Sequence, residues 1–559
     1  VFGCGGDRDY KKRPLMAKVA NASCKKIYVT DDNPRNENPA KIRNEIFKKI
    51  NFRKCFNIGD RAKAIKTAVL NAEPNEIILI AGKGHELQQV YKNKILSISD
   101  RQIIQKLKVK IKILSKKNYD FLINRKILKK LNKKIMIKNF CGLKIDSREI
   151  KKNNLFVTIK GKKNDGTKFI SNALKKGAKY IVSSKTVNKY KKKIIKVKNE
   201  INFLKKFASL KRNYSSAKII AITGSAGKTS LKNLIKDLLQ NFGDTHYSPK
   251  SYNNHFGVPI SLSNLSINHK FGVFEVGMSK AGEIGELSKL IKPHVAIITN
   301  VGEAHIENFK NTKGIANAKG EIIDNIEKKG TIILNRDQKH FSYLAKKAKL
   351  RNIKIVSFGK NKKSDVHPIR ILKNKQLIKL TIMVKNQPLY LETKNINIYN
   401  ILSSLALLKV LNLDLKKIRK NFKGFEPSTG RGRIHNVKRY NKHFKLIDES
   451  YNANPLSVKN AINNLNSIKK IKFKKYLLLG DMLELGKKSE MYHKELSKVI
   501  NSSDIDKVFV KGKKTLTTYK NINKNKRGNI FQHDEDVDFT LNNIIANNDY
   551  LMIKGSNAT

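Results

Sequence analysis

The sequence predicts an α/β protein of several domains, built on parallel sheets covered by helices. Three observations predict this. Short apolar runs of strand type alternate with amphipathic helical runs along most of the 559 residues. One of these runs, KIIAIT (218–223), passes through a glycine turn into GKTS and a helical pattern, the strand–loop–helix order of a phosphate-binding loop. At ~150 residues per domain the length points to three or four domains, and 40% hydrophobic residues supply material for their cores.

Composition narrows the class further. Four cysteines (Cys4, Cys24, Cys55, Cys141) lie far apart with no C-x-x-C pair, which fits a reducing compartment and argues against structural zinc. No window approaches the ~18 consecutive apolar residues of a spanning helix, and no signal peptide opens the chain. The formal charge is +73, from 117 Lys+Arg and 44 Asp+Glu. The basic residues are scattered with many Asn and Ile rather than gathered on one element, so compositional drift is the favoured reading and nucleic acid is not the expected partner. A functional polyanion surface stays open.

The elements follow in order. Residues 1–107 form one α/β unit with strands at 25–30 and 76–82 and helices at 40–50 and 60–72. The Lys-rich stretch 108–135 reads as a helical linker or an extra helix pair. Residues 136–215 form a small mixed unit with a strand in LFVTIKG (155–161). Strands and helices alternate through 216–424 (KIIAIT, GVFEVG, HVAIITN, TIILN) and again through 425–559 (YLLLG, KVFV, YLMIKG). VFGCGGDRD and LIAGKGHE near the start echo YLLLGDMLE and LMIKGSNAT near the end. Gly6 to Gly82 spans 76 positions and Gly480 to Gly555 spans 75, as expected for two copies of one domain type. Val1 opens within a strand-like run and Thr559 follows a strand-plus-glycine motif, so both ends read as cut.

The chemistry concentrates after strands. In 218–240, Gly224, Ser225 and Gly227 precede Lys228, Thr229 and Ser230, and a helix with apolar face Leu231, Leu234, Ile235, Leu238 and Leu239. Glycine lets backbone N–H groups close on phosphate, Lys228 reaches the β/γ-phosphates, and Thr229 holds Mg²⁺. The strict pattern's first glycine falls on Ile222, a departure. Glu275, His305 and Lys319 are candidate magnesium or substrate ligands. Read singly, they are a strand end, a helix cap and a surface lysine. Asn253 and Asn254 in SYNNHFGVP, and Asp448, Tyr451, Asn452 and Asn454 in LIDESYNANP, are substrate or nucleotide candidates with turn and N-cap chemistry as the alternative. GRGR (430–433) offers Arg431 and Arg433 to a phosphate, or forms a linker.

Taken in order, IDSREIKKNNLFVTIKGKKNDGTKFI, TGSAGKTS, NNHFGVP, EVGM, NVGEAHIENF, AKGEI, YNANP and GDMLELG resemble the Mur ligase family of peptidoglycan synthesis, in its D-alanyl-D-alanine-adding branch. VFGCGGDRDYKKRPLM, DDNPR and AGKGHE resemble the C-terminal domain of its diaminopimelate-adding branch. The resemblance implies a UDP-binding domain (136–215), a central P-loop ATPase domain (216–424) and a Rossmann-like C-terminal domain (425–559), preceded by an extra partial C-terminal domain (1–107). It further implies a cytoplasmic enzyme of cell-wall biogenesis, cell shape and division. That enzyme uses ATP and Mg²⁺ to join D-alanyl-D-alanine to UDP-MurNAc-tripeptide of the meso-diaminopimelate type through an acyl phosphate.

Carried over residue by residue, Ser147 and Arg148, with Asp165 and Gly166 nearby, would contact the uridine diphosphate part. Thr229, Glu275, His305 and Lys319 would organise magnesium, Lys319 matching a position carbamylated in related ligases. Asn397 and Asn400 would flank adenine, and Arg433 and Asp448 would reach phosphate and ribose as the third domain closes. Arg8, Asn33, Arg35, Gly82 and Glu86 would form the diaminopimelate pocket, Arg35 by a bidentate guanidinium–carboxylate pair. Departures are Lys394 and Ile396 beside the adenine position and Asn557 in KGSNAT. The leading piece lacks a P-loop and is expected to be catalytically dead, part of a fusion of consecutive enzymes. The motifs identify no general base for the amine, His305 being a weak candidate. Association with other cell-wall ligases is a further expectation. Two alternatives remain at this stage: a non-catalytic scaffold, and a basic nucleic-acid-binding P-loop protein.

Overall fold

The computed structural model describes residues 1–72, 76–84, 86–113, 116–131, 139–161, 164–373, 377–384, 386–394 and 397–556. Ile396, Asn557 and residues 132–135 of the Lys-rich stretch lie outside them. The chain divides into two units, Val1–Leu122 and Ile123–Thr559.

In the first unit, β1 (Ile27–Val29) and β2 (Cys55–Asn57) pair in parallel, Ile27 opposite Cys55. Phe2 bridges Val29 in parallel on the other side. Asn38 caps the helix Pro39–Phe47, accepting from Ala40 N and Lys41 N, and Asp60 caps Arg61–Asn71. Phe2, Ala17, Ile27, Val29, Ile42 and Ile46 form the core. β3 (Gln88–Tyr91) and β4 (Lys94–Ser97) form an antiparallel hairpin that the sequence reading did not anticipate.

The predicted strand at 76–82 is corrected by the structure. Among the described residues its backbone-to-backbone bonds are Val1 N to Leu79 O (2.8 Å) and Ala81 N to Val1 O (3.0 Å), and two bonds do not make a ladder. Ile77 and Leu79 are accordingly 97% and 70% exposed. The Lys-rich stretch falls in two helices, Asp100–Ile113 and Lys116–Leu131.

Among the described residues the second unit holds three sheets. The first has β5 (Leu143–Lys144), β6 (Leu155–Val157), β7 (Tyr180–Ser183) and β8 (Ile194–Lys196), all parallel and in sequence order. Ile123, Ile127 and Leu128 pack into its core with Leu143, Leu155 and Phe207.

The second sheet comprises β9 (Lys218–Thr223), β10 (Thr245–Tyr247), β11 (Phe271–Glu275), β12 (Val295–Ile298), β13 (Thr331–Asn335), β14 (Lys354–Phe358), β15 (Val366–Lys373), β16 (Ile378–Val384) and β17 (Gln387–Thr393). Its order is β10-β11-β9-β12-β13-β14-β15-β16-β17, parallel as far as β15 and antiparallel beyond. Because β11, β9 and β12 are parallel neighbours, their C-terminal ends open at one edge of the sheet. That edge is where α/β sheets bind ligands. The helix Lys228–Leu239 buries Leu231, Leu234, Ile235, Leu238 and Leu239 completely, at about 1.5–3 kcal/mol per side chain.

The third sheet comprises β18 (Arg433–Arg439), β19 (Lys442–Glu449), β20 (Lys475–Gly480), β21 (Lys507–Lys511), β22 (Arg527–Phe531) and β23 (Tyr550–Lys554). Its order is β18-β19-β23-β20-β21-β22, with β18 alone antiparallel. The run β23-β20-β21-β22 has the same order as 79–81, Val1–Phe2, β1 and β2 in the first unit, which gives the internal echo a backbone counterpart.

Arg61 is wholly buried in the first unit and forks onto Asp100, Nε to Oδ1 at 2.8 Å and Nη2 to Oδ2 at 2.7 Å. Removing one partner strands the other charge. Arg61→Ala is therefore expected to destabilise this unit by about 3–5 kcal/mol, read as an earlier urea transition. A change below about 1 kcal/mol would contradict the pairing.

Candidate active site

The glycine turn after β9 is fixed by its neighbours at the end of β12. Ser225 Oγ donates to Gly302 O (2.8 Å) and accepts from Gly302 N (2.9 Å). Ala226 N donates to Asn300 Oδ1 (2.9 Å), and Ala226 O accepts from Thr299 Oγ1 (2.8 Å) and Asn300 Nδ2 (3.1 Å). Gly224 and Gly227 have φ of +151° and +81°, and a methyl group on Gly224 would lie 1.9 Å from Thr299 Oγ1. Glycine at 224 is thus required by both backbone and space. Gly227 caps the helix Lys228–Leu239, so its N-terminus opens on the loop. Lys228 Nζ donates to Gly224 O (2.8 Å).

Beside the first turn of that helix stands a buried carboxylate. Glu275, at the end of β11, is 1% exposed. Its Oε2 accepts from Thr229 Oγ1 and its Oε1 from Asn253 Nδ2, both at 2.8 Å. Lys232 Nζ lies 3.9 Å from Oε2 and donates to Ser248 O (2.8 Å) and Lys250 O. Burial lowers the Lys232 ammonium to about 8. Lys228 is also lowered by burial, against the attraction of Glu275. Lys319 is 3% exposed and held well below its ordinary value, first by burial and then by the charge of Lys228.

The third sheet supplies the facing wall. Asn454 caps the helix Pro455–Asn466 with Ser457 in a reciprocal box, and its Nδ2 also donates to Ser225 O (3.3 Å) in the phosphate loop. Arg431 lies over the Tyr451 ring at 3.9 Å and donates to Ser251 Oγ (3.2 Å), itself 3.4 Å from Thr229 Oγ1. Lys554 Nζ donates to Glu449 O (3.2 Å) and Asn452 O, and burial lowers it to about 8. The open cavity between these walls measures about 630 Å³.

Most sequence-predicted residues meet here. Gly224, Ser225, Gly227, Lys228, Thr229, Ser230, Asn253, Asn254, Glu275, His305, Lys319, Asn397, Asn400, Tyr451, Asn452 and Asn454 all line the cavity. Two of them also brace helix starts: Asn397 caps Ile398–Val410, accepting from Tyr399 N (2.9 Å), and Asn254 accepts from Gly257 N (2.9 Å) in the turn before Gly257–Ser263. Lys319, singly a surface lysine in the sequence, is a buried wall residue.

Others are placed elsewhere. Arg433 is outside the lining, in an ion pair with Glu426 (2.9 Å). Its neighbour Arg431 is the arginine at the cavity, because Gly430 (φ +75°) and Gly432 (φ +91°) turn the hinge there before β18 begins. Asp448 is used in bracing that hinge, accepting from Gly430 N (2.8 Å) and Ser450 Oγ (2.6 Å). Ser147 is buried and Arg148 exposed in the short turn Ser147–Glu149 of the first sheet of this unit. There Arg148 forks onto Asp146, which it holds at about 2. Asp165 caps the turn at Gly166 and accepts from Lys185 (3.1 Å).

In the first unit, Asn33 Nδ2 donates to Glu86 Oε2 (2.8 Å), and Lys83 Nζ bridges Asn33 Oδ1 (2.8 Å) and Glu86 Oε2 (3.0 Å). Arg35 donates to Gly6 O (2.6 Å), Gly82 takes φ +116°, and Arg8 is exposed.

Residues the sequence reading missed include Lys232, Ser251, Glu449 and Lys554. Lys232 stands one helical turn after Lys228, and Ser251, Glu449 and Lys554 stand inside SYNNHFGVP, LIDESYNANP and LMIKGSNAT.

Thr229 and Glu275 present oxygen donors side by side, which suits magnesium. Among the described residues no group of three His, Cys, Asp or Glu could hold a metal ion, so phosphate oxygens and water would complete its shell. His305 is engaged on Nδ1 by Glu484 Oε2 at 2.7 Å.

A pinned glycine loop facing a second α/β sheet defines a P-loop α/β protein with a composite site. Three family models match it: the Mur ligase middle domain over 222–408, the Mur ligase family catalytic domain over 139–212, and the Mur ligase glutamate ligase domain over both 1–84 and 432–557. The chain belongs to the Mur ligase family, and so to the ATP-dependent acid–amino-acid ligases. It is 33% identical over 414 residues, 73% of this chain and 87% of the relative, to a UDP-N-acetylmuramoyl-tripeptide--D-alanyl-D-alanine ligase of Buchnera aphidicola subsp. Baizongia pistaciae. MurF from Acinetobacter baumannii shares the fold at TM-score 0.69 and 24% identity, covering 78% of this chain and 96% of that one. MurF of Thermotoga maritima in complex with ADP is 26% identical at TM-score 0.64, covering 75% and 94%.

Gly224→Ala drives a methyl group into Thr299 and is expected to weaken ADP binding at least about tenfold by calorimetry, the equivalent of about 1.4 kcal/mol. Unchanged affinity would contradict the loop geometry.

Proposed function

We propose that this chain joins D-alanyl-D-alanine to UDP-MurNAc-tripeptide, of the meso-diaminopimelate type, with ATP as the source of activation. The observation that carries it is the meeting of the phosphate loop, the Glu275–Thr229 pair and the YNAN loop around one cavity, in a chain whose curated relatives bear that ligase name. A carboxylate is a poor electrophile in water, so ATP first phosphorylates the terminal carboxylate of the tripeptide. The dipeptide amine then attacks the acyl phosphate carbonyl, and phosphate leaves from the tetrahedral intermediate.

The roles follow from position. Backbone N–H groups at the start of the helix Lys228–Leu239 receive phosphate, and Lys228 supplies a charge at the transferring group. Thr229 and Glu275 would hold magnesium, which when bound offsets phosphate charge. Lys319, buried and shifted toward its neutral amine, is suited to carbamylation, which would add an anionic oxygen there. Arg431, stacked on Tyr451, brings a fixed guanidinium from the third sheet, so approach of that sheet completes the site. Asn397 and Asn400 flank the adenine, and Ser147 and Arg148 serve the uridine diphosphate part. Arg433 and Asp448, expected at phosphate and ribose, act through the hinge that presents Arg431.

We read the three sheets of the second unit as the UDP-binding, central and C-terminal domains of a cytoplasmic enzyme. Among the described residues no helix is long and apolar enough to cross a membrane. The leading unit is read as a partial C-terminal domain of the diaminopimelate-adding type, fused ahead of the ligase. Its Asn33–Lys83–Glu86 cluster and Arg35 could bind an amino acid.

Phosphate release from ATP with Mg²⁺, UDP-MurNAc-tripeptide and D-alanyl-D-alanine, each omitted in turn, tests the reading. Release and amide formation are expected to need all components, and Lys228→Ala to lower the rate at least about 10³-fold. Product formation without dipeptide dependence, or an active Lys228→Ala enzyme, would overturn it.

A further inference from the structure

The loop after β12 and the loop after β20 belong to different sheets, and they meet at His305 and Glu484. His305 Nδ1 lies 2.7 Å from Glu484 Oε2. The approach is off the axis of an in-line hydrogen bond, and among the described residues buried Nδ1 has no other partner. Both residues hold left-handed backbones, φ +57° for His305 and +61° for Glu484. That region is unfavourable for residues with a Cβ, and strain of this kind persists where geometry serves a function. Glu484 is half-exposed, so burial of apolar surface does not compensate it. The seam around the pair is close: a Cβ on Gly486 would lie 2.9 Å from Glu307 Cβ, and Lys488 Nζ reaches Lys310 O at 3.5 Å.

We propose that Glu484 is a positioning residue for His305. Its carboxylate takes the Nδ1 side of the imidazole, leaving Nε2 as the nitrogen available to the cavity that His305 lines. Because the carboxylate comes from the third sheet and the imidazole from the second, the ring is fixed when those sheets are together. Glu484 thereby links approach of the third sheet to readiness of a cavity residue. The functional part of this inference rests on the ligase reading above; the ring geometry does not.

The test uses Glu484→Ala and Glu484→Gln in the full chain, with two readouts. In ligation assays Glu484→Ala is expected to lower kcat about 10–100-fold while KM for the dipeptide holds within about twofold. Glu484→Gln, whose amide oxygen still accepts, should lose less. In ligand-free protein labelled with ¹⁵N-histidine, the His305 ring should show a protonated Nδ1 in wild type and lose that signature in Glu484→Ala. Wild-type kcat in Glu484→Ala overturns the role in turnover, and wild-type ring shifts overturn the positioning. If the unmutated protein forms no amide product, the substrate reading falls, while the ring shifts still decide on Glu484.

Discussion

The site is organised around the buried carboxylate of Glu275. A charge at 1% exposure is tolerated only when its neighbours satisfy it, and here a hydroxyl, an amide and an ammonium do so from two segments. Thr229 belongs to the phosphate-loop helix, Asn253 to the loop ahead of the helix Gly257–Ser263, and Lys232 to the next turn of the loop helix. Through Lys232 the same cluster fixes the backbone at Ser248 and Lys250. One electrostatic requirement therefore sets the distance between β9, β11 and the segment joining them. It also leaves Thr229 and Glu275 in contact where a phosphate-bound cation would sit.

The second constraint is that no single sheet contains the cavity. The phosphate loop is held rigid by side chains and backbone of the loop after β12, while Asn454 reaches it from the third sheet and Arg431 reaches Ser251 beside Thr229. Asn454 does this as a helix cap, so its amide is oriented by the same bonds that start the helix Pro455–Asn466. Arg431 is oriented by the Tyr451 ring and by glycines on both sides. Both groups are pre-set before they meet the second sheet's loops, which limits the ordering cost of bringing the sheets together.

Much of this was legible in the sequence. The runs KIIAIT, GVFEVG and HVAIITN hold the strands Lys218–Thr223, Phe271–Glu275 and Val295–Ile298 to within a residue or two, and Leu231, Leu234, Ile235, Leu238 and Leu239 form the buried helix face. The glycine–lysine–threonine turn reads clearly even with Ile222 in place of the usual glycine, because the space and φ requirements fall on Gly224 and Gly227. What escaped depends on long-range partners. Residues 76–82 have strand composition, yet a strand needs a neighbour that offers more than two bonds. Arg431 and Arg433 are equivalent in a GRGR string, and only the hinge's positive φ values and the start of β18 separate them. Lys319 reads as a surface lysine until the fold buries it. Glu484 carries no local signal of its contact with His305.

The central claim, that the cavity activates a carboxylate by phosphoryl transfer, is tested most directly by trapping the activated species. Hydroxylamine replaces D-alanyl-D-alanine in a reaction containing ATP, Mg²⁺ and UDP-MurNAc-tripeptide. The account predicts a tripeptide hydroxamate, formed only with ATP and absent with Lys228→Ala. Amide formation with the dipeptide but no hydroxamate under the same conditions would contradict it.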